Sequence, residues 1–166
     1  TRVSLGKPTI AHGRASISVA IEAAGIRGGI CTFSLETNQK VLGIDWELDK
    51  HHETGIEAVF IALPFDLGKP NFRADINGVP FAPDDDQLDG TVRDWYPLGR
   101  WVSVDDGETT VIVAPLDAPL VHLGGITTGK WARSLEPEGP TLMSWALHNH
   151  WMVNFKASQG GLIPLR

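Results

Sequence analysis

One cysteine in the whole chain, Cys31, excludes an internal disulfide framework and is compatible with a reducing compartment. No apolar run approaches the ~20 residues of a membrane-spanning helix, and no stretch reads as a signal peptide. Positive charge is scarce. Lys and Arg number 14 against 20 Asp and Glu, a net charge of -6, and no basic cluster occurs. A nucleic-acid or anionic-membrane binder would carry a basic face, so neither partner is expected. The 3.6-residue periodicity of amphipathic helices is nearly absent. So are the common catalytic signatures: there is no G-x-S-x-G, no phosphate-binding loop and no cysteine beside a recognisable base.

What the chain does have is alternation. In "SISVAIE", Ile17, Val19 and Ile21 face one way and Ser16, Ser18 and Glu22 the other. In "VLGIDWELD", Leu42, Ile44, Trp46 and Leu48 oppose Gly43, Asp45, Glu47 and Asp49. This is the period-2 pattern of half-buried strands. "IEAVFIALPF" is apolar on both faces and reads as a central strand between two layers. "RWVSV" and "TTVIVAPL" flank the turn Asp105-Asp106-Gly107 and read as a hairpin. "APLVHLGG", "TLMSWALHNHW" and "LIPLR" supply further strands. Many short strands, with 18 glycines and 11 prolines scattered among them, predict an all-β fold, an antiparallel β-sandwich. A length of 166 residues suits one domain. The sequence opens on Thr1 and stops inside a strand-like run. We therefore read residues 1–166 as a single sandwich domain belonging to a longer multidomain chain.

The segment "ALHNHWMVNFKASQGG", residues 146–161, is unusually polar for a core strand. Alternation puts Met143, Trp145, Leu147, Asn149 and Trp151 on one face, and Ser144, Ala146, His148 and His150 on the other. Two histidines on one strand face lie ~7 Å apart and could share a metal with a third ligand such as His122. The same residues could equally hydrogen-bond neighbouring backbone. Asn149 reads either as a brace for the loop that follows or as a ligand contact. Lys156, Ser158 and Gln159 are expected to point outward.

Residues 77–97, "NGVPFAPDDDQLDGTVRDWYP", form the longest irregular stretch and a candidate functional loop. Asp85, Gln87, Asp89 and Gly90 match the opening of an EF-hand loop. Its closing Glu position is Tyr96 and no helices flank it, so that reading fails. A looser calcium site or a solvated acidic turn remains. Six tryptophans are many for this length. Trp95, Tyr96 and Trp101, with Asp94 and Arg100 beside them, could stack and hydrogen-bond a sugar, and Trp131 sits in another loop. Closing the ends of a sandwich is the other use for such rings.

Three stretches, "EAVFIALPFDL", "DDDQLDGTVRDWYPLGRWVSVDDGETTVIVAPLDAPLVHLGGI" and "SWALHNHWMVNFKASQGGLIPLR", stand in an order that resembles the C-terminal β-sandwich region of glycoside hydrolase family 38, the α-mannosidase family, in its bacterial branch. The resemblance spans Glu57 to Arg166. Its most specific pieces are Asp86-Gln87-Leu88-x-Gly90, "DAPLVHLGG" and "NHWMVNFKASQGG". It implies a supersandwich similar to the galactose mutarotase-like fold. It also implies a separate catalytic domain that carries zinc, the aspartate nucleophile and the acid/base. None of those motifs occurs in this chain, so no catalytic residue, metal ligand or cofactor is assigned to it. The expected partners are the remaining domains of its own polypeptide and carbohydrate. The site candidates for sugar or for a domain interface are Trp95, Tyr96, Arg100, Trp101, Trp131, His148, Asn149, His150, Lys156 and Gln159. Two rival readings are a stand-alone carbohydrate-binding module and a mutarotase-type epimerase using His148 or His150 with a carboxylate. An uncovered apolar sheet face would favour the supporting domain, since it would mark a missing neighbour.

Overall fold

Alternating sequence becomes strand throughout. The computed structural model describes residues 1–129, 131–149 and 158–166. They contain β1 (Arg2–Leu5), β2 (Thr9–Ala11), β3 (Arg14–Ala23), β4 (Ile26–Glu36), β5 (Leu42–Lys50), β6 (Ala58–Leu63) and β7 (Asn71–Ile76). There follow β8 (Val79–Phe81), β9 (Tyr96–Pro97), β10 (Val102–Asp105), β11 (Thr110–Val113), β12 (Leu120–Leu123), β13 (Leu142–His148) and β14 (Gly161–Leu165). No helix occurs among the described residues. The all-β, antiparallel sandwich expectation is met. The described residues divide into two compact units, Thr1–Glu57 with His148–Arg166, and Ala58–Leu147.

The first unit is a six-stranded sheet in the order β1-β3-β4-β5-β14, with β2 also on β3. β1 pairs with residues 19–22 of β3 and β2 with residues 14–16, so the two are halves of one edge. The break falls at Gly6-Lys7-Pro8. Pro8 has no N–H for a ladder, which an edge tolerates. The opposite edge, β14, also carries a proline, Pro164, across from Glu47. Two proline-bearing edges discourage pairing with further strands.

Register sorts the sheet into two faces, because paired residues share a side. One row across it is Ile10, Ala15, Leu35 and Leu42. The next is Ile17, Phe33 and Ile44. Leu5, Val19, Cys31, Trp46 and Leu165 form another, and Val3, Ile21, Gly29, Leu48 and Ile163 a fourth. These four rows are apolar; beyond them buried Lys50, opposite Ile26 and Gly161, ends the face. The reverse face carries Arg14, Ser16, Ser18, Thr32, Ser34, Asp45, Glu47 and Asp49. There Ser18 and Thr32 hydroxyls lie 2.9 Å apart, and Arg27 grips Asp49. Cover on the apolar face is uneven. Cys31, Leu48 and Leu165 are buried, whereas Val3, Leu5, Ile10, Leu35 and Leu42 are 50–83% exposed.

The second unit is the sandwich proper. One sheet runs β11-β10-β7-β8 and the other β6-β13-β12-β9. Phe72, Ala74, Val102 and Val104 of the first meet Tyr96, Val121, Leu123 and Leu142 of the second in one buried cluster. Gly107, at φ +92°, closes the β10–β11 hairpin, and the Asp106 carboxylate accepts from Glu108 and Thr109 N–H at 3.1 and 2.9 Å. That turn matches the sequence reading. β6 does not. It lies at the edge of its sheet rather than the centre. It is apolar on both faces because Leu63 packs on the sandwich core while Phe60 packs on the far side against His122 and Trp145, with ring centroids 5.3 and 5.4 Å away.

Cys31 follows from this arrangement. It is 1% exposed, and burial, aided by the charge of Asp45, pushes its thiol up to about 11. Thiolate is then scarce at pH 8, and reagent has no access. Native protein at pH 8 is expected to leave a maleimide or aromatic disulfide reagent unreacted. One equivalent should react once urea unfolds the chain. Rapid stoichiometric labelling without denaturant would contradict the placement of β4.

Candidate functional site

The stretch from 77 to 97 is held by its own side chains. Asn77 and Gly78, at φ +55° and +81°, make the Asn-Gly turn between β7 and β8. Asp86 then caps the next turn, accepting the Ala82 N–H at 2.7 Å while its own N–H reaches Ala82 O at 3.0 Å. Gln87 donates to Val92 O at 2.8 Å and accepts the Tyr96 hydroxyl at 3.1 Å. Asp84, at φ +70°, is the hub. One carboxylate oxygen takes Arg93 Nε and the other takes the Leu135 N–H at 2.6 Å. Arg93 also donates through Nη1 to Thr91 O at 3.0 Å. Its neighbour Asp94 accepts the Gly129 N–H at 2.8 Å, and the Asp94 carbonyl takes the Thr127 hydroxyl at 3.4 Å. Asp94 thus ties this stretch to the segment before residue 130 and Asp84 to the segment after it, with Arg93, about 95% buried, holding Asp84 in place.

Between those segments lies a groove of about 620 Å³. Residues 123–127 form one wall and residues 132–138 the other, with Arg93 between them. Gly124 sits at φ +77°, and a Cβ there would come within 2.3 Å of Pro137 Cβ, so no larger residue fits. Arg133, Glu136 and Glu138 bring charge of both signs to the lining, and Ser134 donates to Glu136 at 3.0 Å. Trp131, immediately before the second wall, is 72% exposed and has φ +52°. That conformation is a real outlier for a bulky residue.

The polar segment of residues 146–161 is explained at its two described ends. Asn149 accepts the Glu57 N–H at 2.8 Å and donates to Glu53 O and Gly55 O at 3.0 and 2.8 Å. Ser158 Oγ accepts the Glu53 N–H at 2.9 Å and lies 3.3 Å from His52 Nδ1. Both ends fasten the same loop, residues 51–57. Beneath it Lys50, 3% exposed, pairs with Glu57 and donates to His51 O at 3.1 Å. Asn149 therefore braces the loop 51–57; residues 150–157, which make up most of the loop that follows it, lie outside the described residues.

The remaining candidates are scattered. Trp95 packs edge-on against Trp145 at 5.9 Å. Tyr96 is 3% exposed, and burial, then the Asp84 charge, pushes its hydroxyl up to about 12, which leaves no free ring face for a sugar. Arg100 is exposed, 3.7 Å from the buried Asp75 carboxylate. Trp101 is half-buried. Among the described aromatic candidates, Trp131 is the exposed one. His148 ends β13, half-buried, and Gln159 is exposed. His150 and Lys156, with Trp151, lie outside the described residues. His122 cannot join a surface histidine pair, since it is fully buried between Phe60 and Trp145. Among the described residues no group of three or more His, Cys, Asp or Glu is placed to hold a metal ion. Asp84 accepts from Arg93 and from the Leu135 N–H, and Asp86 from the Ala82 N–H. Among the described residues no histidine lines the groove. Sequence reasoning missed Arg93 and Lys50. Each stands beside an acidic residue, but spacing does not reveal that Arg93 meets Asp84 or that Lys50 meets Glu57.

No protein-family model, curated protein or solved structure matches this chain.

Two expectations follow from these contacts. Asp84→Ala strands a buried guanidinium and an amide, and should lower stability by about 2–3 kcal/mol in urea unfolding, below the full penalty for a buried pair because Asp84 is partly exposed. A change within about 0.5 kcal/mol would remove Asp84 from the centre of the loop. His122 is the second. Burial lowers its pKa, opposed by the backbone carbonyl and then the charge of Asp94. A base with a depressed folded pKa binds more protons when unfolded. Stability should therefore fall as pH drops below ~6.5 and continue falling to the folded value. His122→Leu should gain on the wild type between pH 7.5 and pH 5 in denaturant titrations. A constant difference across that range would show that His122 does not titrate.

Proposed function

We propose that this chain is a non-catalytic β-sandwich region of an α-mannosidase-like sugar hydrolase, supporting a separate zinc-dependent catalytic domain. The observation that carries the supporting role is the apolar face of the six-stranded sheet. Its exposed residues are not scattered. Val3 and Leu5 line the β1 edge, and Ile10, Leu35 and Leu42 belong to one row at the end of the sheet. Soluble monomers rarely leave a contiguous apolar margin of this kind, and a neighbouring domain of the same polypeptide is the occupant that suits it. The hydrolase itself rests on the resemblance of residues 57–166 to the family 38 sandwich. Retaining hydrolysis of an α-mannoside through a glycosyl-aspartate would then take place on the other domain, with zinc bound there.

The test is hydrolysis of 4-nitrophenyl α-mannoside by the complete polypeptide in which this chain occurs, with zinc supplied and with zinc chelated. Zinc-dependent turnover is expected there, and none from residues 1–166 alone. Turnover by the isolated residues would overturn the non-catalytic reading. No glycoside turnover by the complete polypeptide would overturn the hydrolase.

A further inference from the structure

The groove beside Gly124 has no part in that supporting role, and its chemistry is specific. A volume of about 620 Å³ falls in the range of small-molecule sites, ~300–1,000 Å³. Arg93 and Arg133 supply donors, Glu136 and Glu138 supply acceptors, and Thr127 and Ser134 supply hydroxyls. A simple anion would meet the two glutamates and a simple cation the two arginines. A neutral polyhydroxylated molecule satisfies both sets, since each hydroxyl gives one hydrogen bond and accepts others. Apolar surface is present as well: Ile126 in the wall is 46% exposed, and Trp131, next in sequence to Ala132 of the second wall, 72%. The C–H face of a pyranose needs such surface.

The site is also built in advance. Arg93 is fixed by Asp84 and by Thr91 O, so its guanidinium is not free to turn away. Asp84 simultaneously anchors Leu135 in the second wall, and Asp94 anchors Gly129 at the end of the first. Gly124 permits the walls to approach at Pro137. Trp131 keeps an unfavourable backbone conformation while leaving its ring in solvent, where core packing gives no reason for it.

We propose that this groove binds a neutral saccharide, with Arg93, Arg133 and Glu136 engaging ring hydroxyls and Trp131 covering an apolar sugar face. The saccharide class stands on the lining. A preference for α-mannosides rests on the hydrolase reading.

The experiment is calorimetric titration of the 166-residue chain with methyl α-mannoside, methyl β-galactoside and inorganic phosphate. It is repeated on Trp131→Ala, Trp131→Phe and Arg133→Met, each checked for an unchanged thermal melt. Expected is millimolar or tighter sugar binding, weakened about tenfold or more by Trp131→Ala and Arg133→Met and largely kept by Trp131→Phe. Phosphate should neither bind nor compete. Equal binding of the galactoside would uphold the site while removing its mannoside preference. No sugar binding to wild type, or binding indifferent to both the Trp131→Ala and Arg133→Met changes, would overturn the site. Binding of phosphate in place of sugar would do so too. Mannoside hydrolysis by the complete polypeptide is a separate measurement, so either proposal can fail while the other stands.

Discussion

A β-strand presents its side chains to two sides in turn, and each apolar side must find cover. In the Ala58–Leu147 unit that requirement is met by two four-stranded sheets facing each other, with Val102, Val104, Val121 and Leu142 at the centre. In the other unit a single six-stranded sheet carries an equally apolar face, and its margin stays exposed. The contrast is physical rather than compositional. Cys31 and Leu5 stand in the same cross-strand row, yet one is 1% exposed and the other 71%. Burial of a Leu or Ile side chain is worth roughly 1.5–3 kcal/mol. Five residues left 50% exposed or more are a considerable unrealised stabilisation, available to whatever surface covers them.

Charge is used sparingly and mostly indoors. Asp84, Arg93 and Asp94 connect three segments that share no ladder, and Lys50 with Glu57 does the same beneath residues 51–57. Buried pairs of this kind add little stability over apolar substitutes, but losing one partner is costly. They therefore fix which loop lies where. An apolar contact could slide by a residue, whereas a carboxylate that accepts both a guanidinium and a named backbone N–H cannot.

The strands were largely legible because alternation is a local signal. Ile17, Val19 and Ile21 do share a face, as do Leu42, Ile44, Trp46 and Leu48, and Asp105-Asp106-Gly107 does turn the chain. Partners were not legible. Nothing near Glu47 announces Pro164, since alternation names a face and never the strand that lies alongside. β6 shows the limit from the other direction: two apolar faces mean cover on both sides, and an edge strand can have that. Among the site candidates, Tyr96 has the composition of a sugar platform but is drawn inward by the Gln87 hydrogen bond. Trp131 resembles it in sequence and remains outside.

The same reasoning separates the two roles argued for this molecule. Covering an apolar sheet margin asks only for complementary apolar area and tolerates many sequences. A groove that contains a buried arginine is less forgiving, because a desolvated guanidinium needs acceptors in fixed directions. Asp84 and Thr91 supply acceptors to Nε and Nη1. A fold that only needed to join residues 84 and 135 could have used a neutral hydrogen bond. Holding an arginine at the wall of a polar groove, fixed by Asp84 and Thr91, is the arrangement expected if it is positioned for the saccharide proposed above.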